Sequence, residues 1–447
     1  MWWGCSKVSM DWLDTYRAKL TGADEALKVV HSGSTVYVQP GCAVPEALLE
    51  AMIRRAPYVR DVQVVQMLTL GPATYARPEY SQSFRANGLF IGPNIRGAIW
   101  EGRADYTPIY LSEIESLFSS GELPLDTVLL QVSPPDSHGF LSLGVGVDCT
   151  LTAAHHARNV IAQVNHEMPR THGDTFLHVN QVTAIVEDSR PLAELHPEPY
   201  TELHQRIASH VASLIPDGAT LQMGIGGVPD AVLACLGNHK DLGIHTEMFS
   251  DGVIPLIEKG VINGARKTLH PGKLIAGFVL ATRAVFDFVH DNPIFEFRPI
   301  KYVNDPFIIQ QNDRMVAINS ALQVDLTGQV CADSLGCKPY SGFGGQVDFI
   351  RGAGKSKGGV PIIALPSTAK DGTISRIAPM LDPGAGVVTN RADVHYVVTE
   401  HGIAYLHGKT LRQRAEALIS IADPKFRDHL SEFAYQARYI EPRTVLA

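Results

Sequence analysis

Among its 447 residues the chain has no hydrophobic run long enough to cross a bilayer. The stretch Met1-Trp2-Trp3-Gly4-Cys5-Ser6-Lys7 lacks the basic-then-apolar order of a secretory leader. A membrane partner is therefore not expected, and the reading is a cytoplasmic protein. Excess positive charge is missing as well: 38 lysines and arginines against 46 aspartates and glutamates leave a formal charge of −8. That balance argues against a nucleic-acid partner, whose binding face is normally basic, and still leaves room for a local basic pocket for phosphates. The six cysteines, at 5, 42, 149, 235, 331 and 337, show no CxxC spacing, and no histidine follows the last two at a zinc-finger interval. Free thiols in a reducing compartment are expected instead of structural zinc. The 18 histidines include no HExxH, so no metal site is read. GxxxxGK[ST] and GxSxG are also absent, which removes a P-loop nucleotidase and the signature of a serine hydrolase.

What is present is a globular composition, 45% hydrophobic and 19% charged, at a length that favours two domains over one core. The 39 glycines and 28 prolines predict many tight turns between short elements, the habit of α/β proteins. Residues 9–30 read as two short helices with Thr21 or Asp24 as the cap between them. A turn at 32–34 feeds a strand through Val38, Pro45 opens a helix over 46–53, and 62–68 reads as a second strand, which makes a βαβ unit. Further strands are predicted at 127–133, at 160–165, within 315–326 on either side of a polar interruption, and from 360 into a basic loop ending at Lys370. Helices are expected around His155-His156, from Thr201 onwards and over 409–430. The polar, proline-bearing stretch 188–199 reads as a linker, dividing the chain into 1–190 and 191–447.

The βαβ unit recurs. Residues 217–223 match the strand after Gly33, Gly224-Ile225-Gly226-Gly227-Val228-Pro229 matches 39–45 with one residue removed, and Asp230-Ala231-Val232-Leu233 matches Glu46-Ala47-Leu48-Leu49. Two related α/β domains account for this better than chance convergence. In the matched strands Thr246-Glu247-Met248 lies over Val65-Gln66-Met67, so a carboxylate falls where the first copy has an amide. A glutamate can act as an anionic nucleophile and a glutamine cannot. The second copy is therefore expected to carry the chemistry, and the first a wall or a binding surface.

Glu247 stands between an apolar run and Ser250-Asp251-Gly252, and it is framed by two glycine-rich turns, 224–228 and 342–345. Two readings fit that spacing: a carboxylate that caps a turn, or a nucleophile beside backbone N–H groups able to hold an oxyanion. The first glycine turn is not GxGxxG, because Pro229 intrudes, and alone it serves structure as often as ligand binding. Lys355, Lys357 and Lys370 read either as solvated loop charge or as contacts to an anionic ligand. Most histidines read as surface or packed residues. His245, two residues before Glu247 on the same expected strand face, stays a candidate to orient or line the site.

The four segments GIGGVPDAV, HTEMFSDG, AINSALQVDLTGQ and SGFGGQVDFIRGA, in this order, resemble the acetyl-CoA hydrolase/transferase family, and within it the 4-hydroxybutyrate and butyryl-CoA:acetate CoA-transferase branches. The resemblance implies a class I CoA-transferase fold of two similar open α/β domains with the active site in the cleft between them. It implies ping-pong transfer from a short acyl-CoA to a small carboxylate such as acetate, through a glutamyl-CoA thioester on Glu247. Gly345 would supply an oxyanion-hole N–H; Gly224, Ile225, Gly226, Gly227 and Val228 would border the CoA or acyl group; Asn319, Leu322 and Gly344 would line the site; and Lys370 would contact CoA. No tightly bound cofactor or metal is implied, coenzyme A enters as acyl-CoA substrate, and a homodimer is the expected assembly. Two alternatives stay open at this point: hydrolysis of the same intermediate by water, and a non-catalytic CoA-binding module.

Overall fold

The computed structural model describes residues 12–197 and 199–440. Cys5, the amino-terminal stretch read above and positions 9–11 of the first expected helix lie outside the described residues. The next short helix, Ala23–Ala26, is capped by Gly22 with no side-chain bond. Neither Thr21 nor Asp24 is its cap: Asp24 sits in the first turn and pairs with Arg54 at 2.7 Å.

Two sheets organise the chain. The first has seven strands, all parallel, in the order 105–106, 84–90, 62–67, 35–38, 127–132, 159–164 and 184–187. The second has six, in the order 243–244, 220–223, 315–320, 360–364, 396–399 and 402–405, parallel except for its last pair. Central strands such as Thr127–Val132 and Thr220–Met223 are buried along their whole length, as parallel strands covered on both faces must be. Between them helices such as Glu46–Arg54 and Gly227–Cys235 bury one stripe of Ala, Leu and Val. The two sheets are similar open α/β layers, and the fold class is the one expected.

One cluster of buried side chains runs without a break from Tyr37 and Val65 in the first sheet to Leu221, Val316 and Val398 in the second. Each large apolar side chain enclosed there contributes about 1.5–3 kcal/mol. The expected repeat is present: strand 35–38, helix 46–54 and strand 62–67 correspond to strand 220–223, helix 227–235 and strand 243–244. Its register differs from the one read by residue type. Thr35 pairs with Gln63 and Thr220 with Gly243, and the bonding continues through His245 N–H to Leu221 O at 3.1 Å. The register therefore sets His245 over Val65, where matching by residue type had set Thr246. Matching the two methionines by type had hidden a one-residue offset that hydrogen bonding fixes.

Candidate active site

Glu247 lies at a bend between two short strands, Gly243–Ile244 and Met248–Phe249. Its backbone is held on the core side, because its carbonyl accepts from Gly277 N at 2.9 Å and Phe278 N at 3.0 Å. The side chain keeps a partial opening and lines a cavity of about 270 Å³. Residues from both halves of the chain share that cavity: Pro40, Gly41, Met67, Leu68 and Phe90 from the first, Gly224, Ile225, Met248, Phe278 and Gly344 from the second. Met67 and Glu247 both line it, one from each half of the chain. A larger cavity, about 410 Å³, lies between helix Glu46–Arg54 and residues 69–75, and does not include Glu247.

Two donors reach the Glu247 carboxylate. Asn304 Nδ2 lies 3.0 Å from Oε2, and the Gly345 backbone N–H donates as well. Burial pushes the carboxyl up from its ordinary range, and these two bonds pull the other way. Only glycine fits at 345: a Cβ there would stand 1.9 Å from Glu247 Oε2 and 2.3 Å from Asn304 Nδ2. Gly345 also caps helix Gln346–Lys355, so the carboxylate sits at the positive end of that helix. The turn is docked on the first half of the chain by Ile91 N to Ser341 O (3.1 Å), Leu111 N to Gly344 O (3.2 Å) and Arg96 Nε to Tyr340 O (2.7 Å).

The structure gathers some of the expected residues and disperses others. Glu247, Gly224, Ile225 and Gly344 line one cavity, and Gly345 touches the carboxylate. Gly226, with φ of 110°, caps helix Gly227–Cys235 and borders a neighbouring cavity with Ile225. Gly227 is packed so closely on His204 that a Cβ would meet its ring at 2.5 Å, and Val228 is core. Asn319 bonds Gln222 Oε1 at 3.0 Å on the sheet, and the Leu322 N–H bonds Cys331 O at 2.8 Å. Lys370 is exposed at a hairpin turn with φ of 49°. None of these six lines the Glu247 cavity.

His245 is fully buried, does not line the cavity and bonds the Val303 carbonyl through Nε2 at 2.8 Å. Strand alternation fails to bring it beside Glu247 because the chain leaves the strand at the bend. An oxygen acceptor at Nε2 places the proton there, and the ring braces the residue before Asn304. Burial, then the Lys267 ammonium, pushes its pKa down to about 3, so it stays neutral. Asn304 escaped the sequence reading. The only cue for Asn304 is the dipeptide Asn304-Asp305, which reads as the end of one helix and the cap of the next.

The family model for the acetyl-CoA hydrolase/transferase N-terminal domain matches residues 7–195, and that for the C-terminal domain matches 281–434. The chain belongs to the acetyl-CoA hydrolase/transferase family. The 4-hydroxybutyrate coenzyme A transferase of Clostridium kluyveri is 50% identical, over 94% of this chain and 98% of that one. The succinyl-CoA:acetate/propanoyl-CoA:succinate CoA transferase of Fasciola hepatica is 47% identical, over 94% of this chain and 89% of its own. Among solved structures, RipA from Yersinia pestis superposes with a TM-score of 0.92 at 39% identity, covering 96% of this chain and all of that one. This chain is a CoA-transferase of that family. Among the described residues no helix is long and apolar enough to cross a membrane, and no group of three or more His, Cys, Asp or Glu is placed to hold a metal ion.

Proposed function

We propose that the chain transfers coenzyme A from a short-chain acyl-CoA (4-hydroxybutyryl-, butyryl- or acetyl-CoA) to a small carboxylate such as acetate, by a ping-pong route through Glu247. The single observation that carries this reading is the Glu247 carboxylate facing a mostly apolar cavity while Asn304 and the Gly345 N–H hold its oxygen. Glu247 attacks the thioester carbonyl, the C–S bond breaks, and CoA leaves as thiolate from a mixed anhydride. The thiolate then attacks the Glu247 carbonyl carbon, the first acid departs as carboxylate, and a glutamyl-CoA thioester remains. During that second attack negative charge develops on the Glu247 oxygen itself, where both donors already point. An acceptor acid reverses the two steps.

Transfer is preferred to hydrolysis because the cavity is narrow and lined by Met67, Phe90 and Phe278, which restrict water around the intermediate. The cavity is built by 1–190 and 191–447 together, which supports reading these as two domains with the site between them. A homodimer and CoA contact by Lys370 rest on the family resemblance, and a cytoplasmic setting rests on the scattered cysteines, which fit free thiols in a reducing compartment.

The test is peptide mass spectrometry after incubation with acetyl-CoA and borohydride reduction. The Glu247 peptide should change mass only when acyl-CoA was present, since reduction turns a glutamyl thioester into an alcohol. Glu247→Gln should lose transfer and the adduct while melting as the parent does. Full activity in that variant would sink the proposal; release of free CoA without an acceptor, as fast as transfer, would favour hydrolysis.

A further inference from the structure

The helix that follows strand 84–90 turns a cation toward the Glu247 cavity. Phe90, Ile91, Pro93 and Arg96 all line it. Pro93 and Arg96 stand three residues apart on helix Pro93–Trp100 and so share one face, while Ile95 and Ala98 are buried in the core of the first half. Among the described residues that line the cavity, Arg96 is the one lysine, arginine or histidine, and the acidic ones are Glu247 and Asp148. Asp148 is fully buried, with Oδ1 taken up by Thr150 N at 2.9 Å and Thr150 Oγ1 at 2.8 Å.

The Arg96 guanidinium is held in place and still lacks a counter-ion. Its Nε donates to Tyr340 O at 2.7 Å, and its Cζ lies 3.7 Å from the centre of the Tyr340 ring, which fixes the plane of the group. Among the described residues no carboxylate pairs with it, and no bond joins it to Glu247, whose oxygen is held by Asn304. Nη1 and Nη2 are left as two parallel donors, spaced to meet both oxygens of a carboxylate. A charge on the wall of a mostly apolar cavity is costly until it is paired, and here the ligand can supply the pair.

We propose that Arg96 is a specificity-determining residue: it anchors a second carboxylate at the far end of a short acid whose first carboxylate reacts at Glu247, so that short dicarboxylates are selected as acceptors. This rests on the reading of Glu247 as the nucleophile. The phosphates of CoA are not the anion in question. They are separated from the thioester by the whole pantetheine arm, which does not fit beside the reacting carbon in a cavity of about 270 Å³. A carboxylate at Arg96 gains two charge-assisted hydrogen bonds, whereas a methyl group in its place leaves both donors unsatisfied.

Succinate and butyrate have the same chain length and differ at the far end by a carboxylate against a methyl group. With acetyl-CoA as donor, the parent should form succinyl-CoA as well as butyryl-CoA, read by chromatography. The kcat/KM for succinate divided by that for butyrate should fall at least about 10-fold in Arg96→Gln, and by less in Arg96→Lys, which keeps the charge without the fork. Taking the ratio cancels any general loss caused by loosening the Tyr340 turn. A parent that uses butyrate and not succinate overturns the assignment. So does an unmoved ratio in Arg96→Gln, or a change confined to the KM of acetyl-CoA, which would place a CoA phosphate there. Where Arg96→Gln does not fold, an unmoved ratio in Arg96→Lys overturns it. Absence of transfer to both acids, with no adduct on the Glu247 peptide, refutes the nucleophile reading instead.

Discussion

At the scale of single residues the site depends on what is missing at position 345. The φ of −93° there is open to any residue, so alanine would not strain the backbone. It would instead drive a methyl group into Glu247 Oε2 and Asn304 Nδ2. Gly345→Ala is expected to lower kcat by about 100-fold or more, through displacement of the carboxylate, at a stability cost of about 1–3 kcal/mol from overpacking. Steady-state kinetics beside thermal melts separate the two effects; a kcat within roughly threefold of the parent would show that the carboxylate is not held there. Glu247 and both glycine turns were legible in sequence, because carboxylates and glycines announce chemistry and close approach by type. Asn304 was not, because an amide gains meaning only from what it faces.

At the scale of elements, the brace between strand Gly243–Ile244 and helix Ile300–Val303 is His245 bonded to Val303 O. A histidine whose folded pKa is depressed binds fewer protons when folded than when unfolded. Its stabilising contribution is therefore complete above the unfolded value near 6.5 and is lost as pH falls toward about 3. Urea unfolding at pH 7 and near pH 4.5 should show this loss as on the order of 3 kcal/mol in the parent. His245→Gln keeps a donor and removes the titration, so its loss over the same interval should be smaller by that amount. Equal losses would assign the acid sensitivity elsewhere. The strand itself was predicted from its apolar run; the bend that separates His245 from Glu247 was not, because it follows from pairing of Met248–Phe249 with a different partner, Phe278–Val279.

At the scale of the whole molecule, the two halves of the chain build one cavity. Met67 from the first half and Glu247 from the second both line it. Met67→Ala should widen the cavity on the acyl side and favour longer acyl groups over acetyl by roughly tenfold in kcat/KM. It should also cost about 2–5 kcal/mol of stability, since Met67 is buried. A competition assay with paired acyl-CoA substrates checks the ratio; an unchanged ratio would mean that Met67 does not border the acyl group. The repeat was readable from glycine, proline and alanine spacing, whereas its register was not.

The sequence by itself determined that the fold is α/β, that a βαβ unit is repeated, and that Glu247 stands out from its surroundings. Those features are local, set by periodicity, turn chemistry and residue type. Only the tertiary structure decided that Met67 and Glu247 line one cavity, that Gly226, Gly227 and Val228 serve the helix start rather than the cavity, and that Asn304 holds the Glu247 carboxylate. Those features depend on strand register and on contacts between segments far apart in the chain. Hydrogen-bond pairing and close packing fix such contacts, and no short stretch of residues encodes them.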